Sequence, residues 1–249
     1  MTYKKILFLF LAALCLKGYS QSVGEKIKAG PGMEVTKLSD KAYFYVSYDN
    51  IEGFGVVPCN GLILVDGNKA ALLDTPSTSE RTAILNDWIE KSLHAKLAKF
   101  IPNHWHEDCL GGMSYLQTLG VESYANQMTI DIAKEKNLPL PDHGFKDSLT
   151  LKLGDMDLCC YYPGAGHAAD NIVVWIPSEK ILFGGCMVKN VRAKGLGNLS
   201  DAVVDEWPQT IAKVIEKYPD ARIVIPGHGN FGGRELLLHT QELLQSKVK

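Results

Sequence analysis

The chain has 249 residues, enough for one large domain or two small ones, and its 46% apolar content can fill an ordinary core. A disordered segment and a small disulfide-stapled scaffold are both excluded. A formal charge of -2 gives no general drive toward nucleic acid or anionic membrane, so the expected partner is a small molecule met by a monomer.

Lys4 and Lys5 precede an unbroken apolar run from Ile6 to Leu16, and Gly18-Tyr19-Ser20 sets small residues before Gln21. This is the pattern of a secretory signal peptide over residues 1–20, leaving a mature domain at 21–249 in the periplasm. The run is too short for a membrane span of about 20 residues, so no membrane association is expected of the mature form. A lipoprotein anchored through Cys15 is the alternative, to which Ala12-Ala13-Leu14 fit poorly. Without Cys15 the chain keeps Cys59, Cys109, Cys159, Cys160 and Cys186. An odd count argues against a disulfide framework and suits one metal thiolate with four buried small hydrophobes.

Hydrophobicity alternates from Met33 to Tyr48, most clearly in Ala42-Tyr43-Phe44-Tyr45-Val46-Ser47-Tyr48, so the domain opens on strands. Asp49 to Val57 sets Phe54 between Gly53 and Gly55, a hairpin that either covers a site or packs its own aromatic. A second hairpin pairs Gly61–Val65 with Ala70–Leu73 and ends at Asp74. Ser77 with Glu80 reads as a capping box before Ile84, Leu85, Trp88 and Ile89 at helical spacing. A short strand, Lys99 to Ile101, then leads into His104-Trp105-His106-Glu107-Asp108.

Two short helices and a loop are expected between Gly111 and Leu153, followed by a strand pair at Leu149–Leu153 and Leu158–Tyr162. The second half then repeats the first. Asn171–Ile176 and Lys180–Phe183 form a hairpin ending at Gly184-Gly185-Cys186. A helix capped by Ser200 or Asp201 carries Val203, Val204, Trp207, Ile211, Val214 and Ile215. Ile223-Val224-Ile225-Pro226-Gly227-His228 echoes Phe100-Ile101-Pro102-Asn103-His104. Hairpin, helix, strand, Pro, His occurs twice, so two β/α halves would bring His104 and His228 to a common cleft.

Seven histidines occur. His94 and His239 lie within helical patterns, and His143 has no partner at ligand spacing. In extended backbone, residues two apart project to one side about 7 Å apart, so His104 and His106 can share a metal while Asp108 serves a second. His167 and His228 sit in glycine-bracketed turns, where backbone can crowd a site. Cys186 at a strand end is a natural thiolate ligand. The six divide into His104, His106 and His167 for one zinc and Asp108, Cys186 and His228 for another.

The order His104-x-His106-x-Asp108, Gly-x-Gly-His167, Gly-Gly-Cys186-x-x-Lys189 and Pro-Gly-His228-Gly resembles the class B metallo-β-lactamases, in their first, di-zinc subclass. The similarity spans nearly all of the mature chain, and Ile101–His106 and Ser123–Glu135 look most like carbapenem-hydrolysing members. The resemblance implies an α+β fold, a four-layer αβ/βα sandwich of two similar halves with the site at one edge. It implies two Zn2+ per chain and hydrolysis of the amide of penicillins, cephalosporins and carbapenems by a metal-bound hydroxide, which confers antibiotic resistance. Asp108 would ligate and orient the nucleophile, Lys189 would bind the substrate carboxylate, and Asn198 would hold the carbonyl oxygen. Phe54 would cap apolar substrate groups, and Asp74, with Asp170 a weaker candidate, would orient ligands from behind. Glu107 and Cys109 depart from the family pattern without removing a ligand. Two alternatives stay open: a glyoxalase II-like thioesterase of the same fold, and a secreted zinc-binding module without catalysis.

Overall fold

The computed structural model describes residues 24–247. The expected signal peptide and the Cys15 alternative lie outside the described residues. Among those described, no helix is long and apolar enough to cross a membrane.

The first half forms an eight-stranded sheet in simple chain order: β1 (Lys26–Gly30), β2 (Met33–Lys37), β3 (Ala42–Ile51), β4 (Gly55–Asp66), β5 (Lys69–Leu73), β6 (Lys96–Ile101), β7 (Glu122–Asn126) and β8 (His143–Phe145). The second forms a five-stranded sheet from β9 (Ser148–Leu153), β10 (Met156–Tyr161), β11 (Val173–Ile176), β12 (Ile181–Gly185) and β13 (Ile223–Pro226). Helices α1 (Ser79–Trp88), α2 (Glu107–Leu110), α3 (Met113–Thr118) and α4 (Gln127–Glu135) belong to the first half. Helices α5 (Trp207–Lys217) and α6 (Glu235–Lys247) belong to the second.

Strand alternation sorts the core into three layers. Phe44, Leu62, Leu64, Leu73, Val174, Phe183 and Ile225 fill the space between the two sheets. Their chain neighbours Tyr45, Ile63 and Leu72 face the opposite way, onto Leu85 of α1 and Met113 and Leu116 of α3. In the second half Val173, Leu182 and Val224 meet Trp207, Ile211 and Val214 of α5 and Leu237 and Leu244 of α6. Both faces of both sheets are thus buried, which makes helix, sheet, sheet, helix the order of layers. Each fully buried aliphatic side chain contributes about 1.5–3 kcal/mol, so the three layers together hold the fold.

The duplication read in the sequence is visible in the pairing. β4 and β5 are antiparallel and β5 and β6 parallel, as β11 and β12 are antiparallel and β12 and β13 parallel. His104 follows β6 and His228 follows β13, and both lie at the same edge. Asn60 stitches that edge, donating from Nδ2 to Pro226 O and Gly229 O, each at 2.8 Å. Ile172 N donates to Asn103 O at 2.9 Å and ties the His104 loop to the second half.

Several expectations change. The α1 cap is Thr78, whose hydroxyl accepts from Arg81 N, because Ser77 is drawn off to donate its backbone N–H to the buried Asp49 carboxylate. α5 starts at Trp207, with Pro at its first turn, since residues 199–206 are spent on turns at the cleft. Strands β1, β7 and β8 escape the sequence reading: all three are short, β1 and β8 lie at the sheet edges, and β1 is largely solvent-facing. All five cysteines of the described residues are free, but Cys159 is half-exposed on β10 and so departs from the expected burial.

Candidate active site

The cluster that opens the site is not extended. After Pro102 the backbone bends from Asn103 to His106 and passes at once into α2, with His106 as its N-cap. The bend turns Trp105 outward, where Lys136 Nζ lies 4.2 Å from the indole centre and Asp170 Oδ2 accepts from Trp105 N at 3.0 Å. His104 and His106 then face inward, with His104 Nε2 and His106 Nδ1 only 2.8 Å apart. His167 joins them from the loop before β11, its ring centre 4.9 Å from that of His104 and 5.2 Å from that of His106.

A second trio lies beside the first. Asp108 Oδ2 is 3.5 Å from Cys186 Sγ and 3.3 Å from His228 Nε2, and Cys186 Sγ is 3.3 Å from the same nitrogen. Asp108 comes from α2, Cys186 from the end of β12 and His228 from the end of β13. The close approach depends on Gly227, where a Cβ would run into Cys186 Sγ.

Each of three histidines spends its other ring nitrogen on a fixed partner, which sets the direction of the free one. His104 Nδ1 lies 3.2 Å from both Asn103 Oδ1 and Cys109 Sγ. His106 Nε2 faces the Asp201 carboxylate at 3.0 Å, and His228 Nδ1 faces Pro58 O at 3.0 Å. Nδ1 of His167 is buried with no partner among the described residues.

The donor set fits metal ions. Burial first, and the neighbouring imidazole second, push His104 and His167 well below the usual histidine range, so both stay neutral, the state that ligates. Burial would raise the Asp108 carboxyl, but the hydrogen bond and charge of His228 hold it far below the usual carboxylate range. The hydrogen bond with Cys109 pulls the Cys186 thiol down to about 6, against its burial. Burial would likewise lower His228, yet the Cys186 charge and the bond to Asp108 raise it well above the usual value. One imidazolium thus balances two buried anions, a place where a dication would displace the proton.

The cleft above these trios has a volume of about 660 Å³. Lys189 and Asn198 line one side; Ile51, Phe54 and Val57 of the β3–β4 hairpin line another. Lys189 is 8% exposed, and burial lowers its pKa; its Nζ lies 5.2 Å from the Trp207 ring centre. Asn198 Oδ1 accepts from Ser200 N at 3.0 Å, which leaves its amide hydrogens as the groups able to donate elsewhere. Phe54 is 58% exposed at the hairpin tip, between Gly53 at φ 79° and Gly55 at φ 74°.

Asp74 lies beneath the His104 loop at φ 58°, and its Oδ1 accepts from Asn103 N at 2.5 Å. Burial raises its carboxyl well above the usual range, and Oδ2 has no partner. Asp170 grips Trp105 N and Thr129 Oγ1, and burial raises it to about 6. Glu107 stands exposed in the cleft, raised by partial burial and then by Asp108 and Glu52. Asp201 is the site residue that sequence reasoning left in the background, weighed only as a helix cap. Its position three residues after Asn198 was the available signal.

The geometry finds close counterparts among known proteins. The metallo-β-lactamase type 2 of Bacteroides fragilis is 56% identical over 225 residues, covering 90% of each chain. The chain belongs to the metallo-β-lactamases. The type 2 metallo-β-lactamase of Bacillus cereus is 36% identical over 213 residues, covering 86% of this chain and 83% of that one. A solved metallo-β-lactamase from Pontibacter korlensis superposes with a TM-score of 0.82 at 43% identity, covering 86% of this chain and 99% of the other. No family model matches the chain. Membership in class B, first subclass, agrees with the metallo-β-lactamase layer order and with a His-rich trio beside an Asp-Cys-His trio.

Proposed function

We propose that this metallo-β-lactamase hydrolyses the amide bond of penicillins, cephalosporins and carbapenems with two zinc ions, and so confers antibiotic resistance. The observation that carries the reading is the convergence of two adjoining donor trios on the floor of one cleft whose wall bears the buried cation Lys189. His104, His106 and His167 would hold one ion, and Asp108, Cys186 and His228 the other. Three protein donors per ion leave each open to solvent or substrate, unlike the closed cage of a structural zinc. Bound there, zinc supplies Lewis acidity, lowering the pKa of water to about 7 and polarising the lactam carbonyl.

The chain's own groups do the rest. Lys189 pairs with the substrate carboxylate, a strong contact because its ammonium is already stripped of water. Asn198 donates its amide hydrogens to the carbonyl oxygen as negative charge develops there. Asp108 orients the attacking water toward the carbonyl carbon. Phe54 covers the apolar groups of the substrate and excludes bulk solvent. Asp74 and Asp170 keep the His104 loop in place through Asn103 N and Trp105 N. When the ring opens, the departing nitrogen takes its proton from water.

The Lys4-Lys5 start and apolar run to Leu16 support export to the periplasm with removal of residues 1–20. The direct test against a glyoxalase II-like thioesterase presents the mature protein with a carbapenem and with a glutathione thioester. Carbapenem turnover without thioester cleavage supports the reading. Thioester cleavage alone would overturn it.

A further inference from the structure

Thiols gather beneath the cleft in a way the reaction does not need. Cys109 follows Asp108 on α2 and is 1% exposed, as is Cys186 at the end of β12. Their sulfurs belong to one group with His104 and Asp108 in which every ligand atom lies within 4.8 Å of the others. Cys109 Sγ also lies 3.2 Å from His104 Nδ1 and 3.9 Å from Asp108 Oδ1. A disulfide needs sulfurs at about 2.05 Å, and these two already lie within 4.8 Å of one another. Cys59 belongs instead to a group with Asp108 and His228, and Cys159 and Cys160 lie on β10.

We propose that Cys109 and Cys186 form a disulfide when the metal centre is empty, closing the Asp108–Cys186–His228 position to zinc until a thiol reopens it. The pairing itself rests on geometry; its consequence for zinc rests on the ligand role proposed for Cys186. Zinc on Cys186 would occupy the sulfur electrons that begin the exchange, so the loaded chain is protected. The oxidant is a small-molecule disulfide. The Cys186 thiolate attacks one of its sulfurs, breaking that S–S bond and releasing one thiolate. Cys109, losing its proton as it reacts, then attacks the Cys186 sulfur of the mixed disulfide and releases the second thiolate. The protons lost by the two protein thiols end on the two released small thiols, and the protein pair is oxidised as the small disulfide is reduced.

The test incubates the zinc-free mature protein with oxidised glutathione, blocks remaining thiols, and maps tryptic peptides by mass spectrometry. The expected product joins the peptides containing Cys109 and Cys186 and leaves the other three cysteines free, while zinc-loaded protein treated in parallel keeps all five. The oxidised protein should take up one zinc instead of two, and dithiothreitol should restore the second. Cys109→Ser and Cys109→Ala, both checked for folding by circular dichroism, should give no linked peptide and stop at a glutathione adduct on Cys186, which dithiothreitol removes. In the parent chain, a glutathione adduct on Cys186 alone, a link to Cys59, or no loss of thiols would overturn the pairing. A Cys109–Cys186 link with undiminished zinc uptake would overturn the ligand role of Cys186 and leave the pairing standing.

Discussion

His106 Nε2 lies 3.0 Å from the Asp201 carboxylate, and this contact joins the histidine cluster after β6 to the loop that carries Asn198. Such a carboxylate fixes the ring and makes its other nitrogen a better donor. Replacing Asp201 by Ala should weaken metal binding at the His104, His106 and His167 position by about 10–100-fold, with the Asp108, Cys186 and His228 position little changed. Competition with a chromophoric chelator measures both affinities. Equal weakening of both, or of neither, would contradict this role.

Much of the fold was legible because long periodic segments dominate it. Alternation in Ala42–Tyr48 and the twice-repeated order ending in Pro102 and Pro226 led to the two halves, and the pairing of β4–β6 and β11–β13 has that form. What was missed lacked such a signal: β7 and β8 are short, and Ser77 fails as a cap because a residue far away in sequence, Asp49, claims its backbone. In the site, histidine, aspartate and cysteine at strand ends announced themselves by spacing. The tight bend from Asn103 to His106 did not, since it is set by tertiary contacts at Asp74, Asp170 and Ile172. Asp201 looked like a helix cap because the α5 pattern extends back to Val203 while the helix itself starts at Trp207.

Trp207 supports both sides of the site from below. It is fully buried, its Nε1 donates to Met187 O at 3.1 Å, and its ring lies 6.0 Å from that of His167. Trp207→Ala should destabilise the fold by about 3–5 kcal/mol. Trp207→Phe, which keeps most of the volume and loses the hydrogen bond, should cost about 1–3 kcal/mol because Met187 O is left buried and unpaired. Urea unfolding of the two variants gives both figures, and equal losses would contradict the packing role.

Asp170 makes stability depend on pH. Its carboxyl, near 3.9 when unfolded, is raised by burial to about 6 in the fold. The folded state therefore holds this proton more tightly, so the contribution is full below about pH 4 and is lost as pH rises through about 6. Two units correspond to about 3 kcal/mol. In zinc-free protein, Asp170→Asn should gain on the parent by up to about 3 kcal/mol between pH 4 and pH 7. Urea unfolding across that range checks the sign, and a variant that loses ground as pH rises would contradict it.

Phe54 is 58% exposed at a hairpin tip, so the fold does not depend on it, and its proposed role is to cover substrate. Phe54→Ala should leave unfolding and zinc content unchanged and raise KM for β-lactams with bulky apolar groups by about 5–30-fold, the equivalent of about 1–2 kcal/mol of apolar cover. Steady-state kinetics on substrates of graded side-group size test this. A fall in kcat with unchanged KM would place Phe54 elsewhere in the reaction.

The most direct measurement follows carbapenem hydrolysis by the mature protein after exhaustive chelation and then during stepwise return of zinc. The two-trio site predicts that turnover disappears with the metal and recovers as zinc is restored to the stripped chain. Hydrolysis that survives complete metal removal would contradict it.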